Sequence, residues 1–172
     1  MSPLNRAARV LFKAPVPFYD LGLGALVGHR FCLLTHRGRR SGLVYRTMLE
    51  VLDRDPETRG IHVIAGLGRG SQWLQNLEAG GALEVRCGSD RFVPAYRVLA
   101  TGEGAQVLAG YERDHRLAAR VIAPVLGRLT GISYDGTDES RHRVVDQLPV
   151  IELRPRRATE LSHPAPTPPP AG

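Results

Sequence analysis

Between Phe31 and Ala100 the chain carries five strand-length runs with only one short helical stretch among them. That spacing constrains the fold more than any other feature. Parallel neighbours need a crossover of a dozen or more residues, usually a helix. Here Phe31 to Thr35 is a short apolar run, and Tyr45 to Leu52 alternates. Tyr45, Thr47, Leu49 and Val51 share one face, as in a half-buried strand. The turn-rich "DRDPETRG" leads to a third run, "IHVIAGL". Residues 82–88 and 91–100 give two more, joined by the hairpin signal "GSD", and "LPVIEL" reads as a last strand. Between the third and fourth runs, "SQWLQNLEAGG" is a short helix with Ser71 at its N-cap and Gly80 at its stop. Consecutive strands with such short connections predict an antiparallel sheet closing into a barrel, in an α+β, mainly β chain of about six strands.

Helices flank this sheet-forming region. Residues 103–129 are helical by period, with Leu117, Val121, Val125 and Leu129 four apart. Ala118, Ile122 and Leu126 widen that stripe, and Pro124 is expected to kink or divide the segment. "YDGTDES" breaks it, and Thr137 caps a short helix to about Val145. At the N-terminus, Leu4, Ala7, Ala8 and Leu11 mark an amphipathic helix ended by "APVP", and Tyr19 to Val27 forms a second apolar piece. Both either pack on the domain or rest on a membrane surface. After Pro155 the chain is proline-rich, lacks apolar periodicity and is expected to be disordered.

Charge narrows the partners. The net charge is +6, and Lys13 is the only lysine. Such a balance favours anionic partners, though an arginine-rich composition also follows from a GC-rich genome. Nucleic acid is disfavoured, since only 6% of residues are aromatic and no recognition helix stands out. Cys32 and Cys87 lie in apolar runs without metal-ligand spacing and read as buried free thiols of a reducing cytosol. The histidines are scattered, so no metal site is expected, and no apolar run reaches membrane-spanning length. No serine sits in a G-x-S-x-G elbow.

Two glycine-rich loops follow apolar strands. "THRGRRSG" is either a solvated basic turn or a cradle for an anion. "GLGRGSQW" lacks the spacing of a dinucleotide fingerprint, and "RGRRSG" lacks the lysine of a P-loop. Trp73, the only tryptophan, is either core or, with Asn76, the wall of a pocket for a planar ring.

Together, "LLTHRGRRSG", "YRTMLEV", "VIAGLGRGSQWLQNLEAGGALEVRCG" and "LPVIELRP" resemble the deazaflavin-dependent nitroreductase family of actinobacteria and relatives. The resemblance covers about Gly28 to Pro155, and its most specific part is G-R-[RK]-[ST]-G followed some thirty residues on by W-x-x-N-L. It implies a split β-barrel over residues 29–155, after an N-terminal helical segment 1–28 and before a disordered tail 156–172. It also implies coenzyme F420, whose phosphate and oligoglutamate tail are polyanionic. By that resemblance Arg39, Arg40 and Ser41, with Thr35, Gly38 and Gly42, meet the phosphate and tail. Arg46, Thr47, Met48 and Leu49 line the ring, and Ala65, Gly66, Leu67 and Gly68 pass along it. Gln72, Trp73 and Asn76 belong to the W-x-x-N helix. The chain departs from the family at Tyr45, often arginine, at Met48, often proline, and at Gly66, a serine in the best-known nitroreductases. The implied activity is hydride transfer from reduced F420 to an unsaturated or nitro-type small molecule, with a proton from Tyr134 or water. The alternatives are a non-enzymatic carrier of fatty acid, haem or flavin, and an FMN-dependent oxidoreductase. A cytoplasmic monomer or homodimer is expected, with possible peripheral membrane contact through residues 1–27.

Overall fold

The structure is a computed structural model, and it describes residues 28–157. The expected N-terminal helices and the proline-rich tail lie outside those residues. A 3-10 turn, Gly28–Arg30, leads into β1 (Phe31–Arg37), β2 (Val44–Arg54) and β3 (Ile61–Ile64). A second 3-10 turn, Gly68–Gly70, precedes α1 (Gln72–Glu78). Then come β4 (Ala82–Cys87), β5 (Asp90–Phe92), β6 (Pro94–Val98), α2 (Thr101–Asp114), α3 (Arg116–Thr130), α4 (Asp138–Gln147) and β7 (Val150–Pro155). The strands are hydrogen-bonded in the order β5-β4-β1-β2-β3-β7-β6. The pairings β1–β2, β1–β4, β2–β3, β3–β7 and β4–β5 are all antiparallel. The α+β, mainly β class read from the sequence holds, and the antiparallel strands with their helices are consistent with the expected split β-barrel.

Among the described residues there are seven strands rather than about six, because the run 91–100 is two strands interrupted at Val93. The carbonyl of Val93 accepts from the Arg156 N–H at 2.9 Å. Gly80 stops α1 as its position suggests, with φ +76° and its N–H on the Leu77 carbonyl at 2.9 Å. Thr137 caps α4, its hydroxyl accepting from the Ser140 N–H at 3.2 Å. Ser71 behaves differently: it precedes α1, but its buried hydroxyl has no hydrogen-bond partner. The expected division at Pro124 is also corrected, since the helical region breaks at His115 (φ −127°, ψ 52°) and Pro124 lies inside α3.

The described chain forms two compact units. The first comprises residues 28–50, 75–95 and 155–157. In it β1 lies between the first part of β2 and β4, and Cys32 faces Leu49 on one side and Cys87 on the other. Cys32, Leu33, Leu34, Met48, Leu77 and Val85 are buried. Both cysteines are free and buried, and burial, then the neighbouring Cys87, push the Cys32 thiol up.

The second unit comprises residues 51–74 and 96–154. Here β3 pairs with the last part of β2 and with β7. Leu108 and Tyr111 of α2, Leu126 of α3, Val144 and Val145 of α4 and Val150 of β7 share one apolar core. The α3 stripe is not oriented as its period suggests. Leu126 is buried and Ala118 and Ile122 pack beside it, so the residues that widen the stripe are the core face. Leu117, Val121, Val125 and Leu129 are 78%, 69%, 50% and 42% exposed.

Candidate functional site

The loop joining β1 to β2 closes on itself. The Gly38 N–H donates to the Leu43 carbonyl and the Gly42 N–H to the Gly38 carbonyl, each at 2.8 Å. Gly42 has φ +68°, a conformation in which side chains are strained. A Cβ on Gly38 would lie 2.6 Å from the Tyr45 ring and 2.7 Å from the Ser41 hydroxyl, so the motif's first glycine makes room for two of its neighbours. Those neighbours bond each other, Ser41 Oγ to Tyr45 Oη at 3.0 Å.

The same loop is fastened to α1. The backbone N–H of Arg39 and its Nη1 both donate to Asn76 Oδ1, at 3.1 and 3.0 Å, and its Nη2 donates to Gln75 Oε1. These bonds fix the position of the guanidinium. With Oδ1 so used, the Asn76 amide nitrogen faces His36 Nδ1 at 3.0 Å and must donate to it. Nδ1 is then the acceptor, which leaves the proton on Nε2, 3.0 Å from Thr47 Oγ1. His36 is 3% exposed and Asn76 is 4% exposed, so each such polar atom needs its partner. Tyr45 stacks on the His36 ring at 6.0 Å between centroids.

Burial lowers the His36 pKa from its ordinary value of 6.5. Above about pH 6.5 the ring is neutral in both folded and unfolded chains. As pH falls below that, the unfolded chain takes up the proton first, so stability declines until the folded ring also titrates. Denaturation midpoints measured from pH 7.5 to 5.5 are expected to fall, and His36→Gln is expected to reduce that slope. Equal slopes in the two proteins would refute it.

The implied anion-contact residues Thr35, Gly38, Arg39, Arg40, Ser41 and Gly42 all lie in this unit. Arg40, Ser41 and Gly42 are exposed, and Thr35, half-buried, lies opposite Arg46, implied as ring-lining, in the β1–β2 register. Arg37, Arg39, Arg40 and Arg46 occur within ten residues that contain no acid. Arg46, Thr47, Met48 and Leu49 divide between the two faces of β2, because successive strand residues point opposite ways. Met48 packs with Leu33 and Phe31, and Leu49 is also buried. Sequence reasoning missed His36 and Gln75. The available signal was a histidine in phase with Cys32 and Leu34, on the strand face that proves buried.

In the second unit, Ala65 is buried and its N–H donates to the Pro149 carbonyl at 3.0 Å. Gly68 has φ +61°, and a Cβ there would lie 2.6 Å from the Gln147 carbonyl oxygen. Nothing lies within 4 Å of a Cβ built on Gly66, and Leu67 is exposed. Gln72 is exposed, whereas Trp73 is 7% exposed and packs as core in the chain as it stands. Tyr134 donates its hydroxyl proton to Glu112 Oε1, and Glu112 Oε2 accepts from Arg141 Nε at 2.9 Å. Burial, then Glu112, raise the Tyr134 pKa well above its ordinary value. That makes the phenol a weaker acid.

No protein-family model and no curated protein matches the chain. Solved structures do match. One is an F420-H2 dependent reductase (FDR-A). It is 15% identical, with a TM-score of 0.47, over 74% of this chain and 96% of that one. A protein of unknown function from Agrobacterium tumefaciens is 14% identical, with a TM-score of 0.49, over 82% of this chain and 55% of its own. A structure described as a domain-swapped dimer is 15% identical, with a TM-score of 0.49, over 89% of this chain and 100% of its own.

Proposed function

We propose that the chain is a deazaflavin-dependent oxidoreductase that passes hydride from reduced coenzyme F420 to an unsaturated or nitro-type small molecule. One observation carries this reading. The two halves of the motif on which the family resemblance rests, G-R-R-S-G and W-x-x-N, are directly bonded through Arg39 and Asn76, 37 residues apart. Such a bond gives their co-occurrence a physical reason.

The residues present fit the coenzyme. A polyanionic tail needs several cations close together in the chain, and the stretch Arg37 to Arg46 supplies four arginines within ten residues. Arg40, Arg46 and the Ser41 hydroxyl would hold phosphate and tail, while Arg39 is oriented in advance by Asn76 and Gln75. A charge-assisted contact contributes roughly 1.5–3 kcal/mol, less in open solvent. Gly66, clear of neighbours, leaves backbone that a flat ring can approach. When bound and reduced, F420 supplies the hydride; the protein binds, orients and excludes water. For the proton we favour water over Tyr134, whose hydroxyl is committed to Glu112.

Titrating the purified protein with F420 and, separately, with FMN tests the reading by fluorescence. Tight F420 binding that weakens as salt is raised is expected, with FMN much weaker. Absence of F420 binding, together with co-purified fatty acid or haem, would establish the carrier alternative instead; preference for FMN would establish the flavin one.

A further inference from the structure

We propose that the outer face of α3 is a docking surface for an anionic lipid bilayer, on which this helix lies flat. Four apolar side chains, Leu117, Val121, Val125 and Leu129, line that face and are 78%, 69%, 50% and 42% exposed. Scattered single hydrophobics need no explanation, but a stripe at spacing i, i+4, i+8 and i+12 is contiguous along a helix. It runs for about 18 Å at 1.5 Å per residue. The core does not use it, because Ala118, Ile122 and Leu126 on the adjacent side already anchor α3.

Charge selects the occupant. The sequence of α3, "RLAARVIAPVLGRLT", has three arginines and no acidic residue. Arg116, Arg120 and Arg128 are all exposed. On a helical wheel Arg128 falls within the apolar stripe and Arg120 lies beside its Leu117 edge. An apolar strip on a helix whose charged residues are all cations matches an anionic headgroup layer over acyl chains, where each arginine near the surface strengthens binding about fivefold. Arginine stems can also pack along the apolar strip while their heads reach phosphate. A second copy presenting the same face would set arginines against arginines, which disfavours self-association there. Among the described residues no helix is long and apolar enough to cross a membrane, so the contact is in-plane.

The test uses the full chain and vesicles of phosphatidylglycerol with phosphatidylcholine, against phosphatidylcholine alone. Sedimentation with the anionic vesicles is expected, with loss near 1 M salt, where screening extends to about 3 Å. Leu117→Asp with Val121→Asp should weaken partitioning at least tenfold. Arg120→Gln with Arg128→Gln should weaken it about 25-fold, by two fivefold losses. All four positions are exposed, so the variants should keep the parent's near-ultraviolet circular dichroism. A Leu117→Trp variant should shift its emission to the blue on anionic vesicles, while buried Trp73 supplies an unchanging background. Undiminished vesicle binding by both double variants would overturn the proposal and move the contact to another part of the chain, such as residues 1–27. Absence of vesicle binding would overturn it too. So would a concentration-dependent dimer that the Leu117→Asp, Val121→Asp variant abolishes, since it would make this face a self-interface.

Discussion

Arg39→Ala combined with Arg40→Ala is expected to weaken F420 binding about 100-fold at low salt, read by fluorescence titration. Two charge-assisted contacts at roughly 1.5–3 kcal/mol each would give more than that in a shielded site. Both arginines are exposed, so solvent screening reduces the figure. The two single variants should behave differently. Arg40→Ala should lose affinity at unchanged stability. Arg39→Ala should lose both, because Arg39 also ties its loop to Asn76 and Gln75. FMN, with a single phosphate and no oligoglutamate, should respond less to the double change. An unaltered F420 dissociation constant in the double variant would refute the cradle assignment while leaving the fold intact.

Asn76→Ala is expected to lower the unfolding free energy by about 3 kcal/mol, in the range for stranding buried polar groups. The substitution removes the acceptor of the Arg39 backbone N–H and Nη1, and the donor to His36 Nδ1. Denaturant unfolding at pH 7.5 measures it. Asn76→Asp separates the two halves of the effect. A carboxylate keeps an acceptor for Arg39 but offers His36 no donor. The His36 ring should then titrate at higher pH than in the parent, since a nearby negative charge favours imidazolium. A change below about 0.5 kcal/mol for Asn76→Ala, the ordinary range for surface positions, would show that the amide is replaceable.

Much of the fold is legible because its signals are local. Short strands punctuated by turn residues, Gly80 after α1 and Thr137 before α4 announce themselves by chemistry that acts within a few residues. The misreadings all depend on tertiary context. Apolar residues on α3 fall on two adjacent stripes, and periodicity alone cannot say which one the core takes. Val125 and Leu126 are neighbours in sequence, yet one is half exposed and the other buried. Proline at 124 is tolerated within α3, while the chain turns at an unremarkable histidine. The site is legible to a similar degree. Arg39 and Asn76 are visible as motif residues, but their bond is not, because it spans two separate elements. His36 carries no metal-ligand spacing in the sequence; its importance lies in which atom of which neighbour it faces.

That last feature gives the network a direction. Thr47 accepts a hydrogen bond from His36, His36 accepts one from Asn76, and Asn76 accepts two from Arg39. Arg39 here only donates, Thr47 only accepts, and Asn76 and His36 each accept on one side and donate on the other, so none can be exchanged for a residue of the opposite hydrogen-bonding sense without stranding the next. Positions 36, 39, 47 and 76 therefore form a single heritable unit. In related chains they should change together or not at all, and a chain that has lost the histidine should also show a different residue where this one has asparagine.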